Sequence, residues 1–174
     1  MKIARIAAII VALCASSVAA FAQTNQPASN TGISKPPSSV ASHIKSTYVR
    51  VILPNSQAQP LIDRYTHDLN GRVHYDFEMR DIKARMIGIT SPHGNISAQI
   101  TDNAASFDQW RRDTRLLYEV DDVPATLKAA EEAGFKIVQP LNRTVSVWQG
   151  RYEVVPGFVV EVVTWLPGKE PRND

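Results

Sequence analysis

Two glycine pairs share one spacing: Gly71 and Gly134 lie 63 residues apart, and Gly94 and Gly157 are separated by the same 63. The first pair ends helical apolar patterns and the second sits in turns between strand patterns, so the coincidence marks a duplicated unit. In the first half, residues 48–53 form an aliphatic strand, and Leu61, Ile62, Tyr65 and Leu69 recur at helical spacing before Asn70-Gly71 stops the helix. Three strands follow at 73–79, 84–89 and 96–100, broken by Arg80-Asp81 and by Ser91-Pro92-His93-Gly94-Asn95. The second half repeats the order. A strand at 116–120 leads to Asp122 as an N-cap with Pro124 in the first turn; Val123, Leu127 and Ala130 share a face, Gly134 ends the helix, and strands follow at 136–138, 145–153 and 158–165.

The flanks read differently. Lys2 and Arg5 precede an apolar run at 6–13 and small residues ending Ala20-Phe21-Ala22, the pattern of a signal peptide over 1–22 cleaved after Ala22. The unbroken apolar run is well short of the ~20 residues a spanning helix needs. Cys14 raises the alternative of a lipid-modified leader, against which stands Leu13 where such a signal wants a small residue. Residues 23–42 carry only scattered aliphatics among Gln, Asn, Ser, Thr and Pro, as in a disordered linker, and 167–174 reads as a loose tail. One domain is expected over 43–166, exported to the periplasm or secreted, with no membrane contact after cleavage.

Removing the leader takes Lys2 and Arg5 from 19 basic residues and leaves 17 against 17 acidic ones. A formally neutral chain lacks the concentrated basic surface of a nucleic-acid binder. Losing Cys14, the single cysteine, removes disulfides, thiolate nucleophiles and cysteine-ligated metals from consideration.

Two strand-helix-three-strand halves resemble the vicinal oxygen chelate superfamily, which includes glyoxalases, bleomycin resistance proteins and extradiol dioxygenases. The residues carrying the resemblance are Leu117-Tyr118-Glu119-Val120-Asp121-Asp122, the helix end Glu131-Glu132-Ala133-Gly134-Phe135, and the closing Pro156-Gly157-Phe158-Val159-Val160-Glu161. It implies an α+β fold in which tandem βαβββ modules, about 46–101 and 114–165, form a curved mixed sheet around a cleft. It also implies four metal-ligand positions. Counted along this chain they fall on Tyr48, Arg115, Ala98 and Glu161, of which Glu161 alone matches the family's ligand types. No cofactor is therefore expected. A divalent metal belongs to the alternative reading, because such a centre needs at least three converging imidazoles or carboxylates. An Arg115–Glu161 ion pair in place of the ion is the hypothesis that follows; the other outcome is that one or both side chains reach solvent.

Strand alternation turns Tyr48, Arg50 and Ile52 into the cleft and Val49, Val51 and Leu53 under a helix. It turns Arg115, Leu117 and Glu119 inward on the fifth strand, and Val159, Glu161, Val163 and Trp165 on the last. The candidate ligand cleft is thus Tyr48, Arg50, Arg115, Glu119, Glu161 and Trp165, suited to a small polar or zwitterionic ligand, with Trp148 and Tyr152 as further candidates or as plain core. The histidines, His43, His67, His74 and His93, lack ligand spacing, and a Ser97-His74-Asp76 triad has no nucleophile-elbow motif to support it. No catalytic residue is assigned. The expectation is an exported, metal-free small-molecule-binding protein. The alternatives are a metal-dependent lyase or dioxygenase with an unusual ligand set, and a tethered protein-interaction module. The resemblance leaves a homodimer open, since a chain holding both halves can also complete the cleft alone.

Overall fold

The computed structural model describes residues 40–171, all within one compact unit. The leader, linker residues 23–39 and residues 172–174 lie outside the described residues. The first module comprises β1 (Ile44–Leu53), α1 (Ala58–Asp63), β2 (Arg72–Met79), β3 (Ala84–Thr90) and β4 (Asn95–Ile100). After a short helix α2 (Gln109–Arg112), the second comprises β5 (Thr114–Val120), α3 (Val123–Glu132), β6 (Lys136–Arg143), β7 (Val147–Val155) and β8 (Phe158–Trp165). Val40–His43 forms a 3-10 turn, and Val40, the first described residue, packs on the core although it falls in the segment expected to be linker. Among the described residues no helix is long and apolar enough to cross a membrane.

All eight strands form one sheet in the order β2-β3-β4-β1-β5-β8-β7-β6. Each module runs outward identically from the centre: β1 lies parallel to β4 as β5 lies parallel to β8, the outer strands are antiparallel hairpins, and β1 meets β5 antiparallel at the seam. Parallel neighbours need a long crossover. The helices α1 and α3 begin those crossovers and cover one face of the sheet. Under α1 lie Ile87, Ile89, Ala98 and Ile100 with Leu61, Ile62 and Tyr65; under α3 lie Val120, Tyr152, Val160 and Val162 with Leu127 and Ala130. Val49, expected under the helix, is 50% exposed, because the short α1 packs over Val51 and Leu53.

The register corrects the repeat by one residue at the places that matter. Ser97 pairs with Gly88 and Arg50, as Glu161 pairs with Arg151 and Leu117, so Ser97 rather than Ala98 is the counterpart of Glu161. Ala98 corresponds to Val162, and both face the helices. The helix stops show the same slip. Asn70 takes the left-handed conformation (φ 50°) where Gly134 (φ 85°) takes it in the second module. Gly71 is needed for another reason: a Cβ there would lie 2.8 Å from the Tyr65 carbonyl oxygen, which accepts the Gly71 N–H at 2.7 Å. The helices differ in quality too. Asp122 caps α3 by accepting the Ala125 N–H at 3.0 Å, whereas Gln57 gives α1 no side-chain cap and α1 runs on into a π turn over Arg64–Asp68.

Candidate functional site

The face away from the helices encloses a cleft of about 820 Å³. Its curvature can be read from Trp165 on β8, which meets Tyr75 and Phe77 on β2 edge-on at 5.6 and 6.3 Å between ring centroids. The order of the strands puts β2 and β8 five steps apart, about 24 Å on a flat sheet at about 4.8 Å per step. The sheet therefore curls, and these rings close one side of the cleft. Gly88 on β3 makes room for them, since a Cβ there would collide with the Tyr75 ring.

Charge gathers on the floor around one carboxylate. Glu161, 3% exposed, accepts from Arg50 on Oε2 and from Arg151 on Oε1; these arginines are 5% and 1% exposed. Arg50 also donates to Ser97 Oγ at 2.6 Å, and Ser97 Oγ shares a hydrogen bond with the Tyr75 hydroxyl. Arg151 donates onward to Gln139 Oε1 and lies 4.7 Å above the Trp110 ring. Burial alone would raise the Glu161 pKa, but Arg151 and Arg50, with Arg111 further off, overcome it and hold the carboxyl at about 2. Burial pulls Arg151 down to about 10 against the support of Glu161. A guanidinium on each carboxylate oxygen makes charge-assisted bonds that offset the cost of desolvating the group. Among the described residues the Nε atoms of Arg50 and Arg151 and Oε1 of Gln99 are buried without a hydrogen-bond partner.

The third cation comes from α2. Arg111 lines the cleft with its guanidinium 5.1 Å from the Trp110 ring centroid and 5.5 Å from that of Phe107, and burial lowers its pKa. Sequence reasoning did not find Trp110, Arg111 or Arg151. The signal for the first two was a Trp-Arg pair in an otherwise polar stretch between modules; for Arg151 it was the parity of β7.

Of the expected cleft residues, Tyr48, Arg50, Glu119, Glu161 and Trp165 line the cavity. Arg115 does not. A register irregularity between Thr114 and Leu116 breaks the alternation at the start of β5, and the Arg115 side chain, 49% exposed, donates to the Arg112 carbonyl at 2.6 Å and approaches Asp113. The counterions of Glu161 are Arg50 and Arg151, so the Arg115–Glu161 pair is not formed. Trp148 and Tyr152 face away from the cleft: Tyr152 stacks on Phe135 under α3, and Gln149 lines the cavity instead while Arg151 reaches Glu161 from the same face. The Ser97-His74-Asp76 grouping is not assembled either, because Asp76 is held by Arg85 at 2.7 Å and Ser97 by Arg50.

The donor set does not fit a resident metal. Among the described residues no three His, Cys, Asp or Glu side chains converge, and the floor carboxylate already has a permanent cation on each oxygen.

The sequence matches no protein-family model and no curated protein. Solved structures do match. A methylmalonyl-CoA epimerase from Mycobacterium tuberculosis aligns over 75% of this chain and 92% of its own, with a TM-score of 0.57 and 15% identity. A methylmalonyl-CoA epimerase in complex with methylmalonyl-CoA and NH4+ aligns over 75% of this chain and 99% of its own (TM-score 0.50, 13% identity). A 4-hydroxymandelate synthase variant from Streptomyces coelicolor aligns over 76% of this chain and 51% of its own (TM-score 0.52, 12% identity). The chain has the vicinal oxygen chelate, or glyoxalase-like, fold, as the resemblance implied.

Proposed function

We propose that this is an exported, metal-free protein of the vicinal oxygen chelate fold that binds a small organic molecule in its cleft. One observation carries the reading: the Arg50–Glu161–Arg151 cluster closes the floor of an aromatic-walled cavity of about 820 Å³, within the range that buries a small ligand. Glu161 has the chemistry of a structural anion. Held at about 2, it stays ionised and engaged near neutrality, which makes it a poor proton donor or acceptor for catalysis. A fold neighbour that is seen in complex with methylmalonyl-CoA supports the use of such a scaffold for small-molecule recognition.

Thermal-shift screening of the purified mature protein against a metabolite library, followed by calorimetry on the hits, tests this. At least one compound should bind with one-to-one stoichiometry, and Trp165→Ala, which opens the aromatic wall, should weaken it with the far-UV circular dichroism unchanged. A library without a stoichiometric binder, or binding indifferent to Trp165, overturns the reading.

A further inference from the structure

The floor holds more positive charge than its carboxylate neutralises. Arg50 and Arg151 share Glu161 between them, and Arg111 faces the same cleft with no hydrogen bond or ion pair from its guanidinium among the described residues. Its side chain is nonetheless placed. Its guanidinium carbon lies over the Trp110 and Phe107 rings, so cation–π attraction holds the charge at the cleft while its N–H groups meet no acceptor among the described residues. Glu161, and less strongly Asp81 and Asp108, act on it only through space, and Arg50 opposes them. A half-buried cation held in this way, with its donors unspent, is a receptor for an anion.

The rest of the cleft describes what that anion is attached to. Tyr75, Phe77, Met86, Leu117, Val163 and Trp165 give it a surface for an apolar or aromatic body, and Glu78, Asp81 and Glu119 line it as well. Gln99, 2% exposed and also lining the cleft, has a side-chain oxygen without a protein partner, a second and independent sign that the cavity is built to meet a polar ligand. We infer that Arg111 anchors the carboxylate of an apolar or aromatic carboxylic acid whose body lies against the Tyr75–Trp165 wall. This rests on the small-molecule reading above and specifies its ligand class. The α2 segment, which joins the modules, thereby becomes part of the binding site: Trp110 braces Arg151 and Arg111, and Arg111 meets the ligand.

The test is a matched pair of probes, naphthalene-2-acetate and its neutral isostere naphthalene-2-acetamide, titrated calorimetrically into the wild-type protein and into Arg111→Gln. The acetate should bind the wild type about tenfold or more tighter than the acetamide, the scale of one charge-assisted contact. In Arg111→Gln that preference should vanish, with the far-UV circular dichroism unchanged to show that the variant is folded. Equal binding of the probes to the wild type, or a preference that survives in Arg111→Gln, overturns the assignment of Arg111 and leaves the small-molecule reading standing. Binding of neither probe overturns the apolar cleft as a ligand site, and the assignment with it.

Discussion

The two modules share strand order but fill their equivalent inward positions with opposite chemistry. Where the second module carries Arg151 and Glu161, the first carries Gly88 and Ser97; where the first carries Arg50, the second carries Leu117. Glu161 thus finds one counterion on its own neighbouring strand and the other across the seam between modules. The difference shows how a duplicated scaffold becomes a directional site. The buried ion pairs gather around Glu161 of the second module, Tyr75 and Phe77 of the first join Trp165 of the second in the aromatic wall, and Gly88 is small because Tyr75 needs the space that Arg151 occupies in its counterpart.

The largest effect in breaking this asymmetry should come from Glu161→Leu, which leaves two buried guanidiniums unpaired. A loss of about 3–5 kcal/mol in urea unfolding is expected. Replacing the whole cluster, with Arg50→Met and Arg151→Met added, should recover much of that loss, since burying the charges costs about as much as their attraction returns. A small loss for Glu161→Leu alone would mean that the carboxylate is not what holds the arginines.

Acid should unfold the second module's site through the same residue. The Glu161 pKa is lowered from 4.5 to about 2 on folding, so its contribution is fully present above 4.5 and is lost as the pH falls towards 2. The stability-against-pH slope in that window should be steeper in the wild type than in Glu161→Gln, by about 3 kcal/mol across it. Parallel curves would contradict the depressed pKa.

Gly88→Ala should cost about 1–3 kcal/mol by forcing Tyr75 off Ser97 and Trp165, measured as a fall in melting temperature. The smallest effect compares the helices. Asp122→Ala should cost about 1 kcal/mol by removing the α3 cap, while Gln57→Ala should leave stability nearly unchanged, because α1 has no side-chain cap to lose.

The element order was legible because apolar periodicity and turn residues report local structure. The inward faces of β1 and β8 were legible because unbroken alternation carries through Tyr48 and Arg50, and through Glu161, Val163 and Trp165. What failed was register. Equal spacing of the turn glycines Gly94 and Gly157 hid a register shift between Glu153 and Val155 that adds one residue to the second module's hairpin, so Ala98 was matched to Glu161 in place of Ser97. An irregularity at the start of β5 turned Arg115 out, and aromatic residues on β7 drew attention to the face that packs under α3. Arg111 and Trp110 belong to a helix of four residues, too short to show a period, and tertiary packing alone puts them at the cleft.

The account stands on the Arg50–Glu161–Arg151 cluster excluding a metal from the floor of the cleft. Titration of Zn2+ and Ni2+ into the purified protein, followed by dialysis and elemental analysis, tests this directly. Metal should wash out without leaving a stoichiometric equivalent, in the wild type and in Glu161→Ala alike. One equivalent retained by the wild type and lost from Glu161→Ala would contradict it.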